Sequence, residues 1–335
     1  MAVIASARPG GRPGLIARIS SNPWTGFLVR RLLSLAIILL ALALATFSMV
    51  RLIPGDPALN IAGIGATQPQ LDAIHHQLGL DQPLLAQLVT YFTNLLHGDL
   101  GSSFVTKQPV TEVIQTRIGN SLQLAGTCLL LVMLVSIPGG MLAGAFTREG
   151  RHPHGEVAFT AVTSVMGALP EYLMATFLAF LFAVEIRLLP VAGAEGPQSL
   201  VLPALAVSLR PIAVLLRIVR VETLNVLAQD YIRTARSKRL PARLIYLRHT
   251  LPNVVTAALT VGGILFAALI GSAVVVETVF ARPGLGTSLV NAVLARDYPV
   301  IQGDVLVLGV TVVVVNAIVD ILLAAVDPRS LTRKG

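Results

Sequence analysis

A charge inside a long apolar run is costly in a bilayer, so such residues are kept for pairing or for a polar path. Three stand out: Glu171 within Val157–Val184, Arg210 within Ser199–Leu216, and Asp320 within Val305–Val326. Glu171 directly follows Pro170, where a kink can free backbone groups. It can face a pathway, or it can pair with Arg210. Asp320 reads as a polar helix contact, and Glu277, at the rim of its run, as a cap or a pair. A different chemistry is offered by Arg217 to Asn253, with eight basic residues and two acidic ones. Within it Asp230 to Lys238 reads as a short helix whose end charges suit the helix dipole. Tyr231, Thr234 and Ala235 share one face by their spacing. The small residues admit another surface. Arg233 and Arg236 flank the face and can pair with acidic groups, or with anionic lipid.

Covalent chemistry has no comparable footing. GxxxxGK[ST], HExxH, CxxC and GxSxG are all absent, so there is no phosphate loop, zinc helix or nucleophile elbow. His75 and His76 are adjacent and do not share a helical face. His152 and His154 flank Pro153 in a short polar loop. Cys128 is the single cysteine, which excludes an internal disulfide. No catalytic residue, cofactor site or metal ligand is expected in this chain.

The elements that position these residues follow from composition. Of 335 residues, 54% are apolar and 13% charged, about half the charge of an ordinary soluble domain, and the mean hydropathy is +0.77. Six runs are long enough to cross a bilayer: Leu32–Val50, Ser121–Phe146, Val157–Val184, Ser199–Leu216, Val254–Val276 and Val305–Val326. Hydrocarbon forces the backbone to satisfy itself, so the runs are helices, and the fold class is an all-α membrane protein with six transmembrane helices. The first run is too long for a signal peptide and is read as a retained span.

Residues 1–29 form a basic tail expected to be disordered and cytoplasmic. Residues 30–53 are the first transmembrane helix, 54–119 a long extracytoplasmic segment with helix-like stretches such as Leu84 to Leu96, and 120–330 a core holding five further spans and the 217–253 loop. Placing the N-terminus inside puts 18 Lys and Arg in inner segments and 6 in outer ones, which fits a multi-pass protein with both termini in the cytoplasm. It also accounts for the net charge of +8 without nucleic acid. Pro138-Gly139-Gly140 is expected to bend the second span. Gly140 and Gly144, four apart, permit close helix packing.

Several peptides in order then resemble one family. Asp230-Tyr231-Ile232-Arg233-Thr234-Ala235-Arg236-Ser237-Lys238-Arg239-Leu240, with Arg248-His249-Thr250-Leu251-Pro252-Asn253, is similar to the cytoplasmic EAA loop of ABC importer permeases; Arg233-Thr234-Ala235 stands for EAA. Leu52-Ile53-Pro54-Gly55-Asp56-Pro57, Leu78-Gly79-Leu80-Asp81, Gly98-Asp99-Leu100-Gly101-Ser102-Ser103, Val276-Glu277-Thr278-Val279-Phe280 leading into Pro283-Gly284-Leu285-Gly286, Arg296-Asp297-Tyr298-Pro299 and Asp327-Pro328-Arg329 resemble its dipeptide, oligopeptide and nickel branch. The likeness covers residues 30 to 330 and implies a type I ABC importer fold.

It also implies that Asp230, Tyr231, Arg233, Thr234, Ala235, Arg236, Lys238 and Arg239 dock on a separate ATPase. Glu171 and Arg210 are then the candidate pathway residues, and Glu171 can meet a peptide's amino group. The implied partners are a second homologous permease in a heterodimer, one or two ABC ATPases that bind ATP and Mg, and an extracytoplasmic solute-binding protein. One departure is Arg239, where the family has Gly; a non-Gly residue in the left-handed conformation costs on the order of 1 kcal/mol. The rival readings are a stand-alone secondary transporter or channel, which should carry more paired charge at mid-membrane, and a structural scaffold, which leaves the loop pattern unexplained.

Overall fold

The computed structural model describes residues 23–52, 57–62, 65–77 and 81–326. Residues 1–22 of the tail, Ile53-Pro54-Gly55-Asp56, Leu78-Gly79-Leu80 and Asp327-Pro328-Arg329 lie outside the described residues. The helices are α1 Pro23–Leu52, α2 Pro57–Ala62, α3 Gln68–Gln77, α4 Leu84–Leu96, α5 Val110–Phe146, α6 Pro153–Ala168, α7 Glu171–Glu185, α8 Pro197–Leu227, α9 Asp230–Ser237, α10 Ala242–Val279, α11 Leu285–Ala295 and α12 Tyr298–Val326. Among the described residues the only β-pairing is an isolated bridge between Ser102 and Pro109.

Among the described residues five helices, α1, α5, α8, α10 and α12, are long and apolar enough to span a bilayer. The sixth crossing is α6 and α7 taken together, bent by 94°. The break has a local cause. Leu169 precedes Pro170 and adopts an extended conformation (φ −77°, ψ 124°), since the proline ring clashes with a helical predecessor. The run Val157–Val184 is therefore two helices meeting at Pro170, not one kinked helix. The described part of α1 starts at Pro23, inside the stretch read as tail, while its apolar span Val29–Met49 starts where the first transmembrane helix is expected. One expected boundary does move. α5 begins at Val110, so the last part of the 54–119 segment is helix that extends the second span.

The bundle is organised around α8. Of its most apolar window 61% is buried, against 11% for α1. α8 packs along α5 through a seam of small residues. Ser136 donates to the Ile212 carbonyl at 3.3 Å and Ser208 to the Cys128 carbonyl at 3.5 Å. A Cβ on Gly140 would stand 2.5 Å from Val219 Cγ1 and 2.8 Å from the Leu216 carbonyl oxygen. One on Gly144 would stand 2.9 Å from Thr223. This is the small-xxx-small packing of membrane helices, driven by contact rather than by water.

Two apolar cores flank the seam. Leu124, Cys128, Ala175, Leu202, Val207, Phe266 and Leu269 join α5, α7, α8 and α10. Val132, Leu215, Val219, Val254 and Ala258 continue the core toward α9. α1 is attached at the edge, by an Arg31–Asp320 ion pair to α12 and by Gln302 donating to the Thr46 carbonyl at 3.1 Å. Asp320 is thus the polar helix contact its position suggests.

Replacing Gly140 by Val should lower the thermal midpoint of the purified protein, because overpacking against backbone costs about 1–3 kcal/mol. Gly126→Ala, with nothing within 4 Å of its added Cβ, should be neutral or stabilising. Equal effects of the two changes, measured by thermal unfolding in detergent, would contradict the close α5–α8 seam.

Candidate functional site

The charged helix α9 sits directly after α8. α8 ends at Leu227, Gln229 is extended, and Asp230 opens α9. Ile232 is fully buried and, with Ala235, Leu227 and Ile245, forms a small core that also takes in Leu240 and Tyr246. This separates Ala235 from the face it was expected to share with Tyr231 and Thr234. Ala235 lies three residues from Ile232 and turns inward with it, because one buried anchor fixes the helix rotation. Tyr231, Thr234 and Lys238 remain on the exposed side, with Asp230, Arg233 and Arg239.

Arg233 reaches only Asp230, at 3.4 Å, and both are solvated. Arg236 is half-buried rather than a free flank, in the field of Arg148, Glu149 and Arg151; burial and then the Arg148 charge lower its pKa. The α5–α6 connection therefore meets α9 at the same end of the bundle. Arg220 of α8 also ties that connection down, with Nη2 2.6 Å from Glu156 and Nε donating to Thr147 Oγ1 at 3.0 Å.

The second half of the loop motif packs beside the first. Asn253 donates to the His249 carbonyl at 2.8 Å and lies 3.5 Å from the Tyr231 hydroxyl. Ile245–Thr250 is a π-turn running into the α-helical start at Leu251. Such a wide turn accommodates Pro252, which offers no N–H and crowds the preceding carbonyls.

Arg239 keeps the backbone that glycine would take, with φ +55°. The Leu240 N–H reaches the Ala235 carbonyl at 3.2 Å and the Arg239 N–H reaches that of Arg236 at 2.8 Å. That is the Schellman pairing, closed by Leu240 packing on the Ile232 core. The strain of the side chain is thus held by two hydrogen bonds and an apolar contact.

In mid-bundle, Arg210 Nη1 lies 3.3 Å from Glu171 Oε1, and Ser272 donates to the same oxygen at 3.2 Å. The break at Pro170 brings Glu171 to the first turn of α7, where α7, α8 and α10 meet. Arg210 remains more than half exposed (57%) near the middle of α8. An arginine exposed at that depth is costly against lipid, which favours protein or water on this face.

The opposite end is held by two buried carboxylates. Glu277 accepts from Ser121 at 2.7 Å and from the Gly286 N–H at 2.8 Å, while Ser121 accepts from the Leu285 N–H at 2.8 Å. Together they cap the first turn of α11. A Cβ at Gly286 would collide with Val274 and Glu277, so glycine is required by close approach. Arg282 beside them is fully buried and donates to Gln123 at 2.9 Å; burial lowers its pKa, against the Glu277 charge.

Asp297 binds the chain before α5. It accepts from Ser103 Oγ and from the Phe104 N–H at 2.9 Å. The stretches Gly98–Ser103 and Arg296–Pro299, far apart in sequence, are thereby one contact. Asp304, in the first turns of α12, is fully buried beside Ser288 of α11. The sequence reading gave Ile232, the anchor of α9, no role and did not name Asp304; an apolar residue in a charged helix was the available signal for the first.

Comparison with known proteins gives concordant matches. The profile described as binding-protein-dependent transport system inner membrane component matches residues 136–332. Its N-terminal companion matches residues 25–125. A protein of Brucella suis, provisionally named a peptide transport system permease, is 39% identical over 91% of this chain and 98% of its own length. The glutathione transport system permease protein GsiC of Shigella flexneri is 36% identical over 90% of this chain and 97% of its own. Among solved structures, an inward-facing form of the MetNI methionine ABC transporter aligns with a TM-score of 0.53 and 14% identity. It covers 65% of this chain and 97% of that one, a likeness of fold.

Arg239→Gly should raise stability by about 1 kcal/mol by relieving the left-handed strain, and Arg239→Val should lower it. Thermal unfolding of the two variants checks the order; an unchanged midpoint in both would mean that residue 239 is not held at positive φ.

Proposed function

The chain belongs to the family of binding-protein-dependent transport system inner membrane components, and on that premise we propose that it is the permease of an ATP-driven peptide importer whose α9 takes the stroke of a separate ATPase. The observation that carries this reading is the construction of α9. Its inner side is fixed to the end of α8 through Ile232 and Ala235, and its outer side offers Tyr231, Arg233, Thr234 and Lys238 to a partner. A force applied to the outer side therefore reaches the central helix of the bundle. The basic residues suit an acidic cleft, and their side chains are free to reorient on binding.

In this reading two ATPases bind ATP and Mg and close, the α9 helices of two paired permeases move, and the bundle alternates in access. The permease pair is a heterodimer of this chain with a second homologous permease. An extracytoplasmic binding protein delivers solute. Both termini are cytoplasmic, as the threefold excess of Lys and Arg on that side favours. Residues 54–119 then lie on the extracytoplasmic side. The exposed Arg210 with Glu171 supports a polar path facing the second permease: opposite charges at one depth suit the carboxylate and the amino group of a peptide. The peptide class is supported by the names of the Brucella and Shigella relatives.

The reversal Arg233→Glu with Lys238→Glu, made in the complex purified with its ATPases, should abolish solute-stimulated ATP hydrolysis and uptake. The thermal midpoint should stay the same, since both side chains are solvated. Coupling that survives the double reversal would remove α9 as the docking face. Glu171→Gln should slow peptide uptake about tenfold, the equivalent of one charge-assisted hydrogen bond, and leave basal ATP hydrolysis intact. Recovery of this chain alone, under conditions that preserve related complexes, would favour a self-sufficient carrier.

A further inference from the structure

Helix α4, Leu84–Leu96, carries no charged residue and buries none of its side chains fully. Its faces are nevertheless sharply divided. On a helical projection Leu84, Leu85, Leu88, Val89, Tyr91, Phe92, Leu95 and Leu96 occupy one side, and Gln87, Thr90, Thr93 and Asn94 the other. Part of the apolar side rests on α1: Tyr91 Oη lies 2.9 Å from Thr46 Oγ1, and its ring lies 5.5 Å from that of Phe47. The rest is bare. Leu85 is 76% exposed, Val89 65% and Leu96 86%.

The depth of this contact identifies what covers the bare stripe. Thr46 lies close to the end of the apolar stretch Val29–Met49, within about 5 Å of it at 1.5 Å per residue. At the same level Gln302 of α12 donates to the Thr46 carbonyl, about one turn from the start of the apolar span Tyr298–Leu323. Helix α4 is therefore attached where two spans leave hydrocarbon. At 13 residues it is too short to cross. Tyrosine is favoured at this level because its ring is apolar and its hydroxyl wet. The bare stripe continues from the exposed apolar surface of α1, where Ile37, Leu40 and Leu44 face outward.

We propose that α4 is an interfacial helix. It lies in the membrane–water boundary beside α1, with Leu85, Val89 and Leu96 in lipid and Thr90, Thr93 and Asn94 toward water. Because it has no charge, it holds to zwitterionic lipid by apolar contact alone, unlike basic surface helices that need anionic headgroups. It pins the start of the long segment before α5 to the bilayer surface.

The test places single cysteines at positions 85, 89, 90, 93 and 96 in a Cys128→Ala background, each carrying a nitroxide spin label. The chain is reconstituted with its associated subunits in phosphatidylcholine nanodiscs. Labels at 85, 89 and 96 should collide more often with oxygen than with a water-soluble nickel chelate, and those at 90 and 93 the reverse. Free collision of the 85, 89 and 96 labels with the chelate would put the stripe in water. Immobilised labels there that meet neither reagent would put protein on it. Either result overturns the proposal, and neither bears on the α9 docking reading.

Discussion

The rest of this molecule depends on the close approach of α5 to α8 at Gly140 and Gly144. No side chain larger than hydrogen fits at either position without displacing backbone or β-branched neighbours. Because the helices meet this closely, Ser136, Ser208 and Cys128 can reach carbonyls across the seam. α8 is thereby fixed in rotation, which decides what its other faces show: Arg210 on an open side, Leu227 beneath α9. In lipid, where apolar surface gains little by self-association, such contact is the chief source of helix packing.

The two ends of the bundle solve a different problem, the loose backbone groups at helix termini. At the α11 end, carboxylates do the work: Glu277 with Ser121 takes up the first N–H groups of α11, and Asp297 gathers the loop before α5. At the α9 end, backbone conformation does it, through the left-handed Arg239 and the π-turn before Pro252. The α11 end buries its carboxylates and Arg282, so removing one partner there leaves another unpaired in a dry place. The α9 end uses short-range bonds and a small apolar core and leaves its charges on the surface.

Sequence patterns gave most of the helices, because an uncharged run of span length in a membrane has one structural solution. They also pointed to Pro170, though as a kink within one span rather than a break, and to the Gly140–Gly144 packing. The rotation of α9 was not legible. Residue spacing groups Ala235 with Tyr231 and Thr234 equally well as with Ile232, and only the position of the Leu227–Ile245 core decides between them. Similarly, nothing local in Gly98–Ser103 shows that Asp297 will bind it; that contact depends on where α11 turns the chain. The Glu171–Arg210 contact was one of two readings left open by the sequence, and the angle between α6 and α7 gives it its geometry.

The length of α8 has a mechanical consequence. It spans 31 residues, about 46 Å of helix at 1.5 Å per residue. One end is the base of α9, and the other begins at Pro197, across the bundle. A tilt of about 10° at the base sweeps the far end through about 8 Å, wider than a peptide backbone. Under the proposed coupling, a helix this long would turn a modest rotation at a surface helix into an aperture at the other side of the membrane.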